Sequence, residues 1–227
     1  MKSNIPIEHG HFYHIYNHGV GGRNLFFETV SYKHFLELYD KYIDPVAETY
    51  AWCLMPNHFH LLVRIKEDNK VKTLYELNQI GKNIKTSTVD EAPIDDNIDS
   101  NNKSEWKTKK PTFSKQLGHL CNSHAHYINK KYNQRGNLFE RPFKRKLIGS
   151  EAYLKQMVLY IHNNPVHHGF CSHPIEYPWS SYLTCISDKP TKLHRKEVID
   201  WFNDAANFEY MHKFKVETDK IEQWLEL

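Results

Sequence analysis

The stretch His58-Phe59-His60-Leu61-Leu62-Val63-Arg64-Ile65 alternates strictly. In a strand this places His58, His60, Leu62 and Arg64 on one face and Phe59, Leu61, Val63 and Ile65 on the other. Two imidazoles two residues apart can share one metal ion or stand as two hydrogen-bonded structural histidines. In a chain with 16 histidines the pair alone leaves both readings open. A second set lies in residues 151–164. A helix there, turning about 100° per residue, lines up Leu154, Met157, Val158 and Ile161 as a core stripe. Tyr153, Gln156, Tyr160 and Asn164 form the stripe at its edge, with Tyr160 and Asn164 one turn apart. A phenol there is either a nucleophile or a boundary aromatic whose hydroxyl finds a partner. Asn164 precedes Pro165, which disfavours helical geometry and can splay its side chain from the ideal direction. A third set is electrostatic: Lys130, Lys131, Arg135, Arg141, Lys144, Arg145 and Lys146 face the single acid Glu140, with Tyr132, Phe139 and Phe143 interleaved. Cations neutralise phosphates and aromatic faces stack on unpaired bases, although a charge run alone is equally a solvated surface.

The elements that must position these groups follow from periodicity and breakers. Residues 11–18 read as a first strand, and residues 31–43 as a helix capped by Ser31 with Phe35, Leu38 and Tyr42 at helical spacing. Residues 49–55 and 58–65 are apolar runs joined by Pro56-Asn57, a tight hairpin connection. Residues 71–85 suggest a short amphipathic helix through Leu74, Leu77 and Ile80. Residues 86–110 are rich in Asp, Asn, Ser and Lys, the composition of an insertion outside the packed fold. Helical spacing resumes over 114–132, a strand fits 141–148, and Ser150 caps a helix that Pro165 should end. The order predicts an α+β, ferredoxin-like fold, an antiparallel sheet packed with helices, followed by the helix that carries Tyr160.

At 227 residues the chain accommodates one domain with additions: residues 1–186, with the insertion, and an extension, 187–227, in which Val198, Trp201, Phe202, Phe208, Tyr210 and Trp224 stand among charges. No apolar run approaches the roughly 20 residues of a membrane span, and the N-terminus lacks a secretory layout, so a soluble, cytoplasmic protein is expected. Cys53, Cys121, Cys171 and Cys185 show no C-x-x-C spacing, which argues against a zinc knuckle or a disulfide framework. The net charge of +3 says little; its concentration in residues 130–146 says more. The remaining histidine groups, His119, His124 and His126 on one helix and His167-His168 after Pro165, do not put three rings on one face, and surface or capping roles are expected for them.

Five stretches in order resemble a known family. They are Phe12-Tyr13-His14-Ile15-Tyr16-Asn17, Met55-Pro56-Asn57-His58-Phe59-His60-Leu61-Leu62-Val63, Arg135-Gly136-Asn137-Leu138-Phe139-Glu140-Arg141-Pro142-Phe143-Lys144, Tyr160-Ile161-His162-Asn163-Asn164-Pro165-Val166 and Tyr177-Pro178-Trp179-Ser180-Ser181-Tyr182. The family is that of the HUH transposases with a single catalytic tyrosine, the REP-associated tyrosine transposases in particular. The resemblance implies His58, His60 and Asn164 as ligands of Mg²⁺ or Mn²⁺, and Tyr160 as the nucleophile that attacks DNA and forms a 5′-phosphotyrosine. It implies single-stranded DNA beside hairpin or palindromic elements as substrate, a bacterial, nucleoid-associated setting, and a homodimer among the possible assemblies. Lys130, Lys131, Arg135, Phe139, Arg141, Phe143, Lys144 and Arg145 are the expected DNA contacts. The long insertion and the extension depart from the family pattern without touching the motif residues. A rolling-circle replication initiator would use the same chemistry, but the chain has no helicase P-loop and no second tyrosine one turn from Tyr160 on its face. A DNA-binding derivative without catalysis is the other alternative.

Overall fold

A computed structural model describes residues 5–84, 107–214 and 221. Four strands, β1 (Phe12–His18), β2 (Ala47–Met55), β3 (His58–Ile65) and β4 (Lys144–Ile148), form one sheet in the order β2-β3-β1-β4. All three pairings are antiparallel, as the ferredoxin-like reading requires. Helices α1 (Thr29–Tyr42), α2 (Leu74–Ile84) and α3 (Phe113–Lys131) precede β4. After β4 come α4 (Glu151–His167), a short turn of helix α5 (Tyr182–Cys185), α6 (Arg195–Trp201) and α7 (Ala205–Met211). Most of the anticipated insertion, the side chain of Ile80, and Trp224 lie outside the described residues.

The sheet separates two cores. On one face Tyr13, Ile15, Phe59, Leu61 and Val63 pack against α1 and α3 through Phe35, Leu38, Leu117 and Leu120. On the other, Leu62, Cys53 and Met55 pack against α4 through Met157, Val158 and Ile161. The extension closes this second core, where Val198, Phe202 and Phe208 are buried beside Tyr182. Burying apolar surface on both faces of a central antiparallel sheet explains why β3 is buried almost throughout instead of alternating between core and solvent.

Three local details differ from the sequence reading. Helix α1 begins earlier, with Glu28 as its cap and Ser31 at the third helical position, where Ser31 Oγ accepts from Phe27 N at 3.0 Å and from Glu28 N at 3.3 Å. In this capping box Ser31 serves the amides just before the helix, while the Glu28 side chain accepts from the Ser31 amide. The last strand begins at Lys144, after Pro142, which has no amide to give a ladder. Helix α4 does not stop at Pro165 but runs to His167. A proline near the end of a helix forfeits one backbone hydrogen bond, and here the helix closes normally, His168 N bonding Asn164 O at 3.0 Å.

Both edges of the sheet are managed. Residues 179–181 run along β2, with Leu54 N donating to Trp179 O at 2.8 Å and Ser181 N to Trp52 O at 2.9 Å. The other edge, β4, carries Lys144, Arg145 and Lys146, charges that discourage pairing with another strand.

Candidate active site

The register sets which side chains share a face. Tyr16 is opposite His60, His18 opposite His58 and His14 opposite Leu62, while Lys144 and Lys146 on β4 are opposite Tyr16 and His14. Paired residues point to the same side, so His14, Tyr16, His18, His58, His60, Lys144 and Lys146 all stand on the face that α4 covers. Helix α4 is held at its start by Ser150, whose Oγ accepts from Tyr153 N at 3.4 Å. Its last turns bring Tyr160 and Asn164 down onto β3.

The four residues singled out from the sequence meet there. His58 Nε2 lies 2.9 Å from Asn164 Oδ1. The Tyr160 ring stands edge-on to His60 at 5.4 Å and to His14 at 6.0 Å between centroids. The His58 and His60 rings are 5.1 Å apart. Pro165 does not splay Asn164: its helical backbone delivers the side chain to His58. The edge stripe itself divides, since Tyr153 is 47% exposed whereas Tyr160 is 1% exposed. The second core, closed by the extension, buries the last turns of α4 on all sides, which periodicity within the helix alone does not reveal.

Three further histidines join the site. The His58 ring is met by His18 at 5.1 Å and by His168 at 5.2 Å, and His14 Nε2 lies 3.0 Å from His60 Nδ1. His14 and His18 were legible in principle, because the alternation of residues 12–18 puts them on one face with Tyr16, the pattern used for His58 and His60. His168 was read as a surface or capping group, and it does close α4, but its ring also meets His58. His124, also expected at the surface, is fully buried with Nε2 2.9 Å from Leu25 O. Its helix packs that side against α1, so the residue points into the first core.

Burial sets the charge state of these rings. It pushes His58 down to about 4, His14 down to about 3 and His60 well below the usual imidazole range. His18 is lowered by burial and by the nearby Lys144 ammonium. At neutral pH the site therefore presents neutral imidazoles, the form that keeps a lone pair for a metal.

Residues His58, His60 and Asn164 fit a divalent cation on the evidence of their own hydrogen bonds. Carboxamide oxygens face both ring nitrogens of His58, Asn57 Oδ1 2.8 Å from Nδ1 and Asn164 Oδ1 2.9 Å from Nε2. A neutral imidazole has one N–H, so one of these oxygens meets a lone pair; with the proton on Nδ1, two acceptors converge at Nε2. Asn164 Nδ2 meanwhile is buried with no partner among the described residues. No three His, Cys, Asp or Glu side chains among the described residues converge as a metal-binding group. The third protein donor in such a site would be the Asn164 carboxamide.

The expected DNA contacts scatter around this centre. Lys144 lies on the site face with its Nζ 5.7 Å from the Tyr16 ring centre. Arg145 points to the opposite face, donating to Ile5 O at 2.6 Å and covering the Phe143 ring at 5.3 Å. Arg141 is exposed and donates to Asn122 Oδ1 at 3.1 Å. Lys130 and Arg135 are exposed, and Lys131 pairs with Glu28 at 2.8 Å. Phe139 is buried in the first core against Phe59 and His124. Its faces are already occupied, which removes it from the set of base-stacking residues. A cavity of about 720 Å³ opens between α3 and residues 136–143, lined by Asn17, Asn122, His126, Asn129, Asn137 and Arg141 among others.

Comparison with solved structures finds a REP-associated tyrosine transposase bound to a REP hairpin, with a TM-score of 0.56 and 16% sequence identity, covering 84% of this chain and 88% of that one. The chain has the fold of a REP-associated tyrosine transposase. Among curated proteins it is similar to a Haemophilus influenzae protein named as a REP-associated tyrosine transposase, 26% identical over 135 residues. The matched region is 60% of this chain and spans 58% of that relative. No family model matches the chain. Among the described residues no helix is long and apolar enough to cross a membrane.

Proposed function

We propose that this chain is a tyrosine transposase that cleaves and rejoins single-stranded DNA beside hairpins through Tyr160. The observation that carries the reading is the convergence of Tyr160 and Asn164, from α4, on His58 and His60, from β3. The similarity to proteins named as REP-associated tyrosine transposases, one of them bound to a REP hairpin, supports the same substrate class.

In this reading Tyr160 Oη bonds to the scissile phosphorus as the P–O3′ bond breaks. The phenol gives up one proton and the departing 3′-oxygen takes one, leaving a 5′-phosphotyrosine and a free 3′-hydroxyl. The phosphotyrosine keeps the energy of the phosphodiester, so attack by another 3′-hydroxyl rejoins strands without ATP. A Mg²⁺ or Mn²⁺ ion held by His58, His60 and Asn164 would supply positive charge beside the phosphate oxygens. Imidazole donors favour Mn²⁺ of the two, since Mg²⁺ prefers oxygen. Lys144 and Lys146 stand along the same face as the nucleophile and can hold the incoming backbone. The groove between α3 and residues 136–143 offers carboxamides for base edges within a largely apolar lining that includes Phe143.

Incubating the chain with hairpin-flanked single-stranded DNA, with Mn²⁺ or with chelator, tests the proposal. A covalent protein–DNA adduct that forms only with metal is expected, and its absence under all conditions overturns the enzymatic reading. The burial of Tyr160 favours one second reading, a hairpin-binding protein that no longer cuts. That protein would retain hairpin affinity in the same assay and give no adduct.

A further inference from the structure

His14 stands at the middle of β1, diagonal to His60 across the β1–β3 pair. It is fully buried, and its ring lies nearly parallel to those of His60, 5.1 Å away, and Tyr16, 4.9 Å away. The short Nε2–Nδ1 contact of 3.0 Å is a hydrogen bond between two imidazoles. His14 Nδ1 is buried with no partner among the described residues.

A neutral imidazole carries one N–H, and a single proton lies between the two rings. Two arrangements satisfy the bond. If His14 Nε2 donates, His60 Nδ1 is the acceptor and the His60 proton must sit on Nε2, which then has no lone pair. If His60 Nδ1 donates, His60 Nε2 is bare and able to ligate, and His14 must carry its proton on Nδ1. The tautomers of the two histidines are thus locked together.

We propose that His14 is the positioning residue of the metal site: through the Nε2–Nδ1 bond it orients the His60 ring and, as acceptor, fixes the tautomer whose Nε2 binds the cation. Ligating histidines in general use their second nitrogen in this way, most often against a carboxylate or a carbonyl, and losing such a partner costs 10- to 100-fold in affinity, to order of magnitude. Here an imidazole takes that place, and its unpartnered Nδ1 is where the displaced proton of His14 resides. The inference rests on the metal site described under the proposed function.

Two measurements on the full chain test it. Mn²⁺ titration followed by electron paramagnetic resonance should show His14→Phe weakening binding by about tenfold or more. His14→Gln, which keeps a polar atom near the position of Nε2, should recover most of that loss. Long-range ¹H–¹⁵N spectra of the wild-type chain with Zn²⁺ should show His60 and His14 both protonated at Nδ1. Unchanged Mn²⁺ affinity in a folded His14→Phe, or a His14 protonated at Nε2 in the Zn²⁺-bound chain, overturns the inference. Should His14→Phe not fold, the wild-type spectra decide alone. His58→Ala and His60→Ala serve as controls. If either binds Mn²⁺ as the wild type does, or the wild type binds none, the metal site itself fails; if both lose binding while His14→Phe does not, only the role of His14 fails.

Discussion

Tyr160 and Tyr153 were equivalent on the helical wheel, and their surroundings separate them. Tyr160 is packed among His14, His60 and the second core, whereas Tyr153 is 47% exposed to solvent. Tyr160→Phe removes one oxygen from a packed ring and should abolish the covalent adduct while leaving hairpin affinity within about twofold. Its thermal stability should stay within about 1 kcal/mol of wild type, the scale of one net hydrogen bond. An adduct that survives in Tyr160→Phe, detected by gel shift under denaturing conditions, moves the nucleophile elsewhere. At this scale the sequence was most informative about the residues at the centre of the candidate site. Alternation put His58 with His60 on one strand face and helical spacing put Tyr160 with Asn164 on one stripe, because each pair lies within one element; only the family resemblance implied that the two pairs share a site. The sequence was least informative about partners contributed across elements: alternation puts His14 and His18 on one face of β1, but strand register carries that face to His58 and His60, and the close of α4 brings His168.

Elements decide which charges can serve DNA. Residues 130–146 looked like one basic stretch, yet they span the end of α3, a loop and β4, and the pleat of β4 sends Lys144 and Lys146 to the site face and Arg145 to the other. Each cation that neutralises a phosphate adds close to one unit to the salt dependence of binding, somewhat less for single strands. Replacing Lys144 and Lys146 with Gln should therefore weaken hairpin binding and lower the slope of log affinity against log salt by roughly one to two units. Arg145→Gln should leave the slope nearly unchanged, because its guanidinium is committed to Ile5 O and the Phe143 ring. Equal slopes for the wild type and the double variant would place the DNA path away from β4. The helices themselves were legible where one face is apolar, as in α1 and α3. Their ends were not, since Ser31 caps from inside α1 and Pro165 is tolerated in the last turn of α4.

At the scale of the molecule, the two cores bury histidines that must stay neutral. His124 in the first core and His212 in the second are both held near 4 by burial, and burial pushes His162, between His212 Nε2 at 3.0 Å and Ser181 Oγ at 2.8 Å, well below the usual imidazole range. In the unfolded chain these rings take up a proton near pH 6.5, which the folded chain refuses until about pH 4. The unfolded state thus binds more protons in that window, so stability falls as pH drops from 6.5 towards 4 and levels off below. By pH 5 each such ring should cost on the order of 2 kcal/mol. Thermal melts at pH 7 and pH 5 check this, and a midpoint that does not fall over that interval contradicts it.

The same packing bears on the extension, residues 187–227, to which the sequence alone assigned no role. The side chains of Val198, Phe202 and Phe208 are buried against the core that holds α4, and Phe208 stacks on Tyr182 at 5.6 Å. His194 N donates to Thr49 O at 2.9 Å, and Tyr50, displaced by a bulge in β2, stacks on Trp201 at 5.2 Å and donates to Glu197 at 3.1 Å. Removing three buried side chains of this size exposes apolar surface worth several kcal/mol, at about 1.5–3 kcal/mol each, against a typical total stability of about 5–15 kcal/mol. A chain ending at residue 186 should therefore be unfolded or aggregated at 37 °C, and should not behave as an autonomous DNA-cleaving unit. Val198→Ala and Phe208→Ala in the full chain provide the graded version, each lowering stability by about 1–5 kcal/mol in denaturant melts. If the truncated chain melts cooperatively at the wild-type temperature, the extension is an appendage after all, and α4 draws its support from the sheet alone.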